Sequence, residues 1–186
     1  MTSSRIRIVH PLEPLVFPES RVLILGTMPS PRSREAGCYY AHPQNRFWRV
    51  MAALWHEPVP ISWEERARLV RRHRLALWDV LRSCTIAGAD DGSIRDPVPN
   101  DLNQVLERAE IRAIFTTGSK AAALYRRYAF PVVGRPAFPL PSTSPANCRY
   151  HTEETLVEAY RAILPYTEED LENVVYAADR TLRPGQ

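Results

Sequence analysis

The sequence predicts an α/β domain built on a short, mainly parallel sheet, and three observations carry that prediction. Continuous apolar runs such as Arg21-Val-Leu-Ile-Leu25 stop at glycine, as strands buried on both faces do. Segments with helical spacing alternate with these runs. Loops of unusual, proline-rich sequence follow the strand ends, where α/β sheets place their ligands.

Taken in order, residues 1–20 read as an irregular arm ending in Pro18-Glu-Ser20. The first strand, Arg21 to Leu25, is closed by Gly26, and Thr27 to Pro43 is a long loop. From Asn45 to Leu54, Phe47, Val50, Met51 and Leu54 share one helical face. Ser62-Trp-Glu-Glu65 is a capping box that opens a helix running to about His73, with Arg66, Arg68, Arg71 and Arg72 on its outer face. Leu75 to Leu81 is the second strand. Cys84 to Pro99, rich in Asp, Gly and Pro, reads as loop. A helix from about Asp101 to Ala109 leads to the third strand, Ile111 to Thr116, closed by Gly118. A helix from Ser119 to Ala129, a short fourth strand from Ala137 to Leu140 and a helix from about Thr152 to Leu164 complete the alternation. Thr167 to Arg180 has the spacing of one more amphipathic helix. The expected division is an arm (1–20), a main domain (21–164) and a C-terminal extension, helical in pattern (165–186).

The 186 residues suit one domain, and 45% hydrophobic with 24% charged residues fits a soluble globular protein. No apolar run reaches the length of a membrane span, and Met1 to Val9 lacks the apolar core of a secretory signal. Cys38, Cys84 and Cys148 are odd in number and widely spaced. They make neither a disulfide framework nor a C-x-x-C metal site, which points to a reducing cytoplasm. The net charge of +3 permits nucleic-acid binding without demanding it. Lys120 is the only lysine, and the arginine bias fits phosphate contacts or a plain coding bias equally. Asp90, Asp91, Asp96 and Asp101 are scattered over loop and cap positions and read as solvated, not as a divalent-ion site.

Three loops stand out. Gly26-Thr-Met-Pro-Ser30 follows a buried strand, where glycine lets a ligand approach the backbone. Tyr39-Tyr-Ala-His-Pro-Gln-Asn-Arg-Phe-Trp48 places two tyrosines, a His-Pro turn and an asparagine before a helix. Phe47 and Trp48 read as core there, whereas Tyr40 and Asn45 are costly choices for a plain surface loop. Leu140-Pro-Ser-Thr-Ser-Pro-Ala-Asn147 precedes another helix. In addition, Gly118-Ser-Lys120 opens a helix directly after a strand, a position suited to anions.

The order of these motifs resembles the uracil-DNA glycosylase superfamily over about Arg21 to Leu164. His42-Pro-Gln-Asn-Arg-Phe-Trp48 and Leu156-Val-Glu-Ala-Tyr160 resemble the mismatch-specific uracil enzymes. Tyr39-Tyr-Ala-His-Pro-Gln-Asn45 with Ser142-Thr-Ser-Pro-Ala-Asn147 is closer to the hypoxanthine-DNA (deoxyinosine) glycosylases. Two departures from the uracil enzymes matter. Met28 stands where they carry Asp or Asn to orient water, and Ser142 stands where a His stabilises the leaving base. The hypoxanthine family shares both absences and relies on the Asn that maps to Asn45.

The resemblance implies a three-layer α/β/α fold around a short, mainly parallel four-stranded sheet. It implies a monofunctional glycosylase of base excision repair, most plausibly for hypoxanthine, acting as a monomer on DNA that carries a deaminated base, with no metal or cofactor. Asn45 is the expected catalytic residue, its side-chain carbonyl oxygen holding the attacking water. Gly26, Met28, Tyr40, His42 and Phe47 are the expected base pocket, with Tyr40 as stacking platform and His42 read first as a loop-shaping residue. Ser30, Gly118, Ser119, Lys120, Ser142, Ser144, Asn147 and Arg149 are the expected DNA contacts. Base recognition from Trp78, Asp79 and Ser83 rests on strand position alone.

Three rival readings follow from the same residues. A uracil enzyme for mispaired uracil keeps the pocket but lacks a water-orienting group at Met28. A non-catalytic lesion binder does not need Asn45. A nucleotide-binding α/β protein calls for G-x-x-x-x-G-K-[ST], which is not present.

Overall fold

The computed structural model describes residues 5–168. Its centre is a four-stranded sheet of β2 (Val22–Gly26), β3 (Leu75–Asp79), β6 (Ala113–Thr117) and β7 (Ala137–Leu140). The strand order is β3-β2-β6-β7 and every pairing is parallel. Val22 to Leu25, Leu75 to Leu77, Ile114 and Phe115 are almost wholly buried. This is the composition that a sheet covered on both faces requires.

The helices supply the two covering layers. They are α1 (Pro31–Ala36), α2 (Phe47–Leu54), α3 (Trp63–Arg72), α4 (Asn103–Leu106), α5 (Ser119–Leu124), α6 (Phe130–Val133), α7 (Glu153–Tyr160) and α8 (Leu164–Thr167). Helix α2 packs on α7, α3 on β3, and α5 on β6 and β7. Helix α3 begins with the capping box read from sequence, Ser62 accepting from the Glu65 N–H and Glu65 reaching back to the Ser62 N–H. A π-helical turn, Tyr125–Ala129, joins α5 to α6, so this segment runs past the expected end at Ala129.

A second, antiparallel sheet of order β1-β4-β5 departs from the sequence reading. Strand β1 (Ile6–Val9) comes from the arm that reads as irregular, and it pairs with β4 (Leu81–Ala87). Strand β5 (Asp90–Pro99) lies within the stretch read as loop. Its turn-forming composition is accommodated by register shifts along the β4–β5 ladder. The chain passes from β3 straight into β4, with Val80 N–H donating to Gly26 O at 2.8 Å and Leu81 N–H to Thr27 O at 3.1 Å. The loop after Gly26 also contains α1, which sequence did not show; Ser30 caps it by accepting from Ser33 N–H. The helix expected over Thr167–Arg180 lies, beyond Glu168, outside the described residues. Among the described residues no helix is long and apolar enough to cross a membrane.

Candidate active site

The carboxyl ends of β2, β3 and β6 open into one cavity of about 150 Å³. The β4–β5 hairpin walls one side, and the loop from Ser142 to Ser144 walls another. Such a crevice, beyond the strand ends of an open parallel sheet, is where α/β folds bind ligands.

Tyr40 forms a flat wall of it. Its ring stacks on Phe47 at 3.7 Å and 10°, and Trp48 abuts it edge-on at 6.3 Å. Phe47 is fully buried beneath it and does not reach the cavity. Trp48 Nε1 donates to Tyr39 O and the Tyr39 hydroxyl to Glu13 O. These bonds anchor the chain around Tyr40, whose φ of +53° is rare for a bulky residue. Burial, with Asp79 adding to it, raises the Tyr40 phenol well above its ordinary value, so the platform stays neutral.

Asn45 lines the cavity, and its side-chain oxygen, the atom expected to hold the water, is already hydrogen-bonded within the protein. Its Oδ1 accepts from Phe47 N–H at 2.9 Å and from the Thr143 hydroxyl at 2.9 Å. Both lone pairs of that oxygen are therefore engaged. The side-chain nitrogen has no hydrogen-bond partner among the described residues. This leaves the side-chain N–H as the unengaged end of Asn45, whereas the sequence reading expected the oxygen to serve the attacking water. Arg46 locks this arrangement: its N–H donates to Thr143 O at 3.1 Å and its buried guanidinium to His151 O.

Asp79, at the end of β3, is the principal residue that sequence left as a guess. Its carboxyl is 7% exposed, and Oδ2 lies 2.7 Å from His10 Nε2, itself 2% exposed. Leu12 N–H donates to His10 Nδ1, so Nε2 carries the proton and donates to Asp79. The partners are 69 residues apart, and no local pattern links them.

The structure brings Gly26, Met28, Ser30, Tyr40, Asn45, Ser142 and Ser144 together on the cavity wall. It adds Thr27, Arg34, Asp79, Asp91 and Thr117. His42 stands apart, its Nδ1 accepting from Gln44 N–H within its own turn, which suits a shaping residue. Gly118, Ser119 and Lys120 sit behind the wall. At Gly118 the φ is +91° and a Cβ would stand 3.2 Å from Ser142 Cβ, so the two loops meet only through a glycine. Asn147 Nδ2 donates to Ser142 O and holds that loop, while Arg149 is exposed beyond it. Asp91 is not solvated as its sequence setting implied. It faces the cavity, and burial raises its carboxyl above the ordinary range.

Comparisons with known proteins identify the family to which this fold belongs. The profile of the uracil DNA glycosylase superfamily matches residues 14–164. A hypoxanthine DNA glycosylase of Methanosarcina acetivorans is 32% identical over 143 residues, covering 74% of this chain and 87% of the relative. A hypoxanthine DNA glycosylase of Methanosarcina barkeri is 28% identical over 110 residues, covering 58% and 70%. The solution NMR structure of a candidate uracil DNA glycosylase from Methanosarcina acetivorans matches with a TM-score of 0.67 at 27% identity. That match covers 88% of this chain and 99% of the other. The family profile covers most of the chain and the fold matches with it, so the chain belongs to the uracil DNA glycosylase superfamily.

Proposed function

We propose that this chain is a monofunctional DNA glycosylase that flips a deaminated base into the cavity and hydrolyses its N-glycosidic bond, with hypoxanthine as the preferred base. The observation that carries this reading is one cavity holding a flat platform, an amide donor and a carboxyl acceptor: Tyr40, Asn45 and Asp79. The two relatives named hypoxanthine DNA glycosylase support the choice of base.

A base within a duplex is unreachable until it is extruded, which costs least when it is mispaired. Stacking on Tyr40 offsets part of that cost, by about 1–3 kcal/mol per base. Asp79, held by His10, accepts the N1–H of hypoxanthine. Adenine has no hydrogen at N1 and leaves that buried acceptor unpaired, so the same contact rejects the normal base.

Bond cleavage passes through an oxocarbenium-like sugar. Such a cation needs a nearby water more than a strong base, so Met28 at the strand end is no obstacle. Negative charge develops on the departing purine, and the Asn45 side-chain N–H is placed to receive it. Ser142 and Ser144 each accept one backbone bond and keep a hydroxyl hydrogen for a phosphate. Arg34 at the cavity, with Ser119, Lys120 and Arg149 beyond it, adds positive or donor groups for the backbone. The free Cys38, Cys84 and Cys148 fit a cytoplasmic setting.

Mispaired uracil presents the same N–H and C=O edge to Asp79, which makes it the expected weaker substrate. The test uses labelled duplexes carrying one hypoxanthine, uracil, xanthine or adenine, followed by alkaline cleavage of abasic sites. Strand breaks at hypoxanthine well above uracil, with none at adenine, are expected. Dominant cutting at uracil contradicts the substrate assignment.

A further inference from the structure

Among the described residues two carboxyl groups face the cavity, and the reading above uses only Asp79. The second, Asp91, stands at the tip of the β4–β5 hairpin. Three bonds fix that tip: Gly92 N–H to Asp90 Oδ1 at 2.8 Å, the Ser93 hydroxyl to Asp90 O at 2.7 Å, and Ala87 N–H to Ser93 Oγ at 2.8 Å. Asp90 is engaged in the turn and exposed, while its neighbour Asp91 turns inward against Thr27 at the end of β2. Asp91 shares the cavity with Tyr40, Asn45 and Asp79, and Ile86, Gly88 and Ala89 stand beside it on the hairpin wall. An inward carboxyl with no structural partner beyond a threonine is costly unless its chemistry is used.

We propose that Asp91 is the general acid of the reaction, giving its proton to N7 of the departing hypoxanthine. This role rests on the hypoxanthine reading above. N7 is the most basic ring atom of the nucleoside. As the C1′–N9 bond breaks, its electron pair passes into the purine and the Asp91 proton moves to N7, so the base leaves neutral and the Asn45 N–H meets only the charge that builds before the proton arrives. The Asp91 carboxylate then faces the oxocarbenium sugar. Water adds to C1′, and the proton it sheds returns to Asp91.

The surroundings suit both states. Burial favours the protonated acid, and Asp79 from β3 and Asp90 from the turn add to this. The Thr27 hydroxyl beside it and the positive charge of Lys120 from α5 oppose it, and both favour the carboxylate once the proton has left. Cys84 of β4 faces Asp91 as a thiol raised by burial and by that carboxyl, so it stays neutral. The Asp79 carboxyl is already committed to the His10 donor, whereas Asp91 has no such partner.

The test is single-turnover excision against pH for the wild type and Asp91→Asn, on duplexes with deoxyinosine or 7-deaza-deoxyinosine. Duplex affinity and thermal unfolding serve as controls. The wild-type rate should fall as pH rises through the raised Asp91 pKa, and Asp91→Asn should lose that limb and about a hundredfold to ten-thousandfold in rate. The 7-deaza base should slow the wild type comparably and the variant hardly further, with affinity unchanged. A variant that keeps the wild-type rate and pH limb overturns the role. So do losses from variant and substrate that multiply, which would make Asp91 a recognition group. The 7-deaza substrate tests the wild type alone, should the variant fold poorly. A wild type that leaves hypoxanthine untouched fails the substrate reading and this role together, whereas Asp91-independent cleavage fails this role only.

Discussion

Asp79 occupies the space that any side chain at residue 26 would need: a Cβ on Gly26 would stand 2.4 Å from Asp79 Oδ1. The glycine that closes β2 is therefore explained by the neighbouring strand. Its φ lies outside the left-handed region, so space and not backbone freedom is the constraint. The Gly26–Asp79 pair is also in register across the β2–β3 ladder, so neither residue can withdraw without breaking the sheet end.

Gly26→Ala should displace the Asp79 carboxyl and break its bond to His10. Overpacking of this kind costs about 1–3 kcal/mol. Denaturant unfolding should register that loss, and excision of hypoxanthine should fall with it. Wild-type stability and rate together would show that Asp79 is free to move.

His10→Ala removes the donor to a buried carboxyl and should destabilise the protein by about 1–3 kcal/mol. His10 precedes the matched residues 14–164, so deleting residues 1–10 should reproduce the loss. Chemical denaturation of both forms checks this; full stability after the deletion would detach the arm from the site.

Tyr40→Ala removes the platform and should lower kcat/KM for hypoxanthine by the stacking worth, about 1–3 kcal/mol. Tyr40→Phe keeps the ring. Because the phenol is neutral in the protein, it should retain most activity. A Phe variant as impaired as Ala would make the hydroxyl, not the stack, the active feature.

Asp91 also predicts a pH dependence of stability. Burial holds its folded pKa above the ordinary 3.8. A group raised on folding contributes stability at low pH that is lost as pH rises through the folded value. Asp91→Asn lacks that loss, so its stability relative to wild type should grow from about pH 4 upward. Thermal melts across the pH range read it, and a constant difference would mean that Asp91 is solvated.

The sheet was legible because each strand is a continuous apolar run whose burial on both faces leaves its mark locally. Tyr40, Asn45, Ser142 and Ser144 were legible as motif residues. The β4–β5 hairpin was not, because Asp90-Asp-Gly-Ser-Ile-Arg-Asp-Pro-Val-Pro99 has the composition of turns and pairs only through an irregular register. Asp91 was missed with it, since scattered acids are ordinarily solvated. His10 and Asp79 meet by long-range folding alone, and no spacing announces such a pair. Asn45 was found by type, but which of its two ends serves the cavity depends on Thr143, which lies 98 residues away.

The central claim is that Asn45 serves the cavity through its N–H end, and Asn45→Asp tests it most directly. Aspartate keeps both oxygen positions that Phe47 and Thr143 contact, but it presents oxygen where the amide presents hydrogen. Single-turnover excision from a deoxyinosine duplex should be readily measured for the wild type. It should fall at least as far for Asn45→Asp as for Asn45→Ala, by about a hundredfold or more, as loss of a donor to developing charge does. An Asn45→Asp protein that cuts as fast as wild type, or faster, would return the water-holding role to the oxygen and contradict the account.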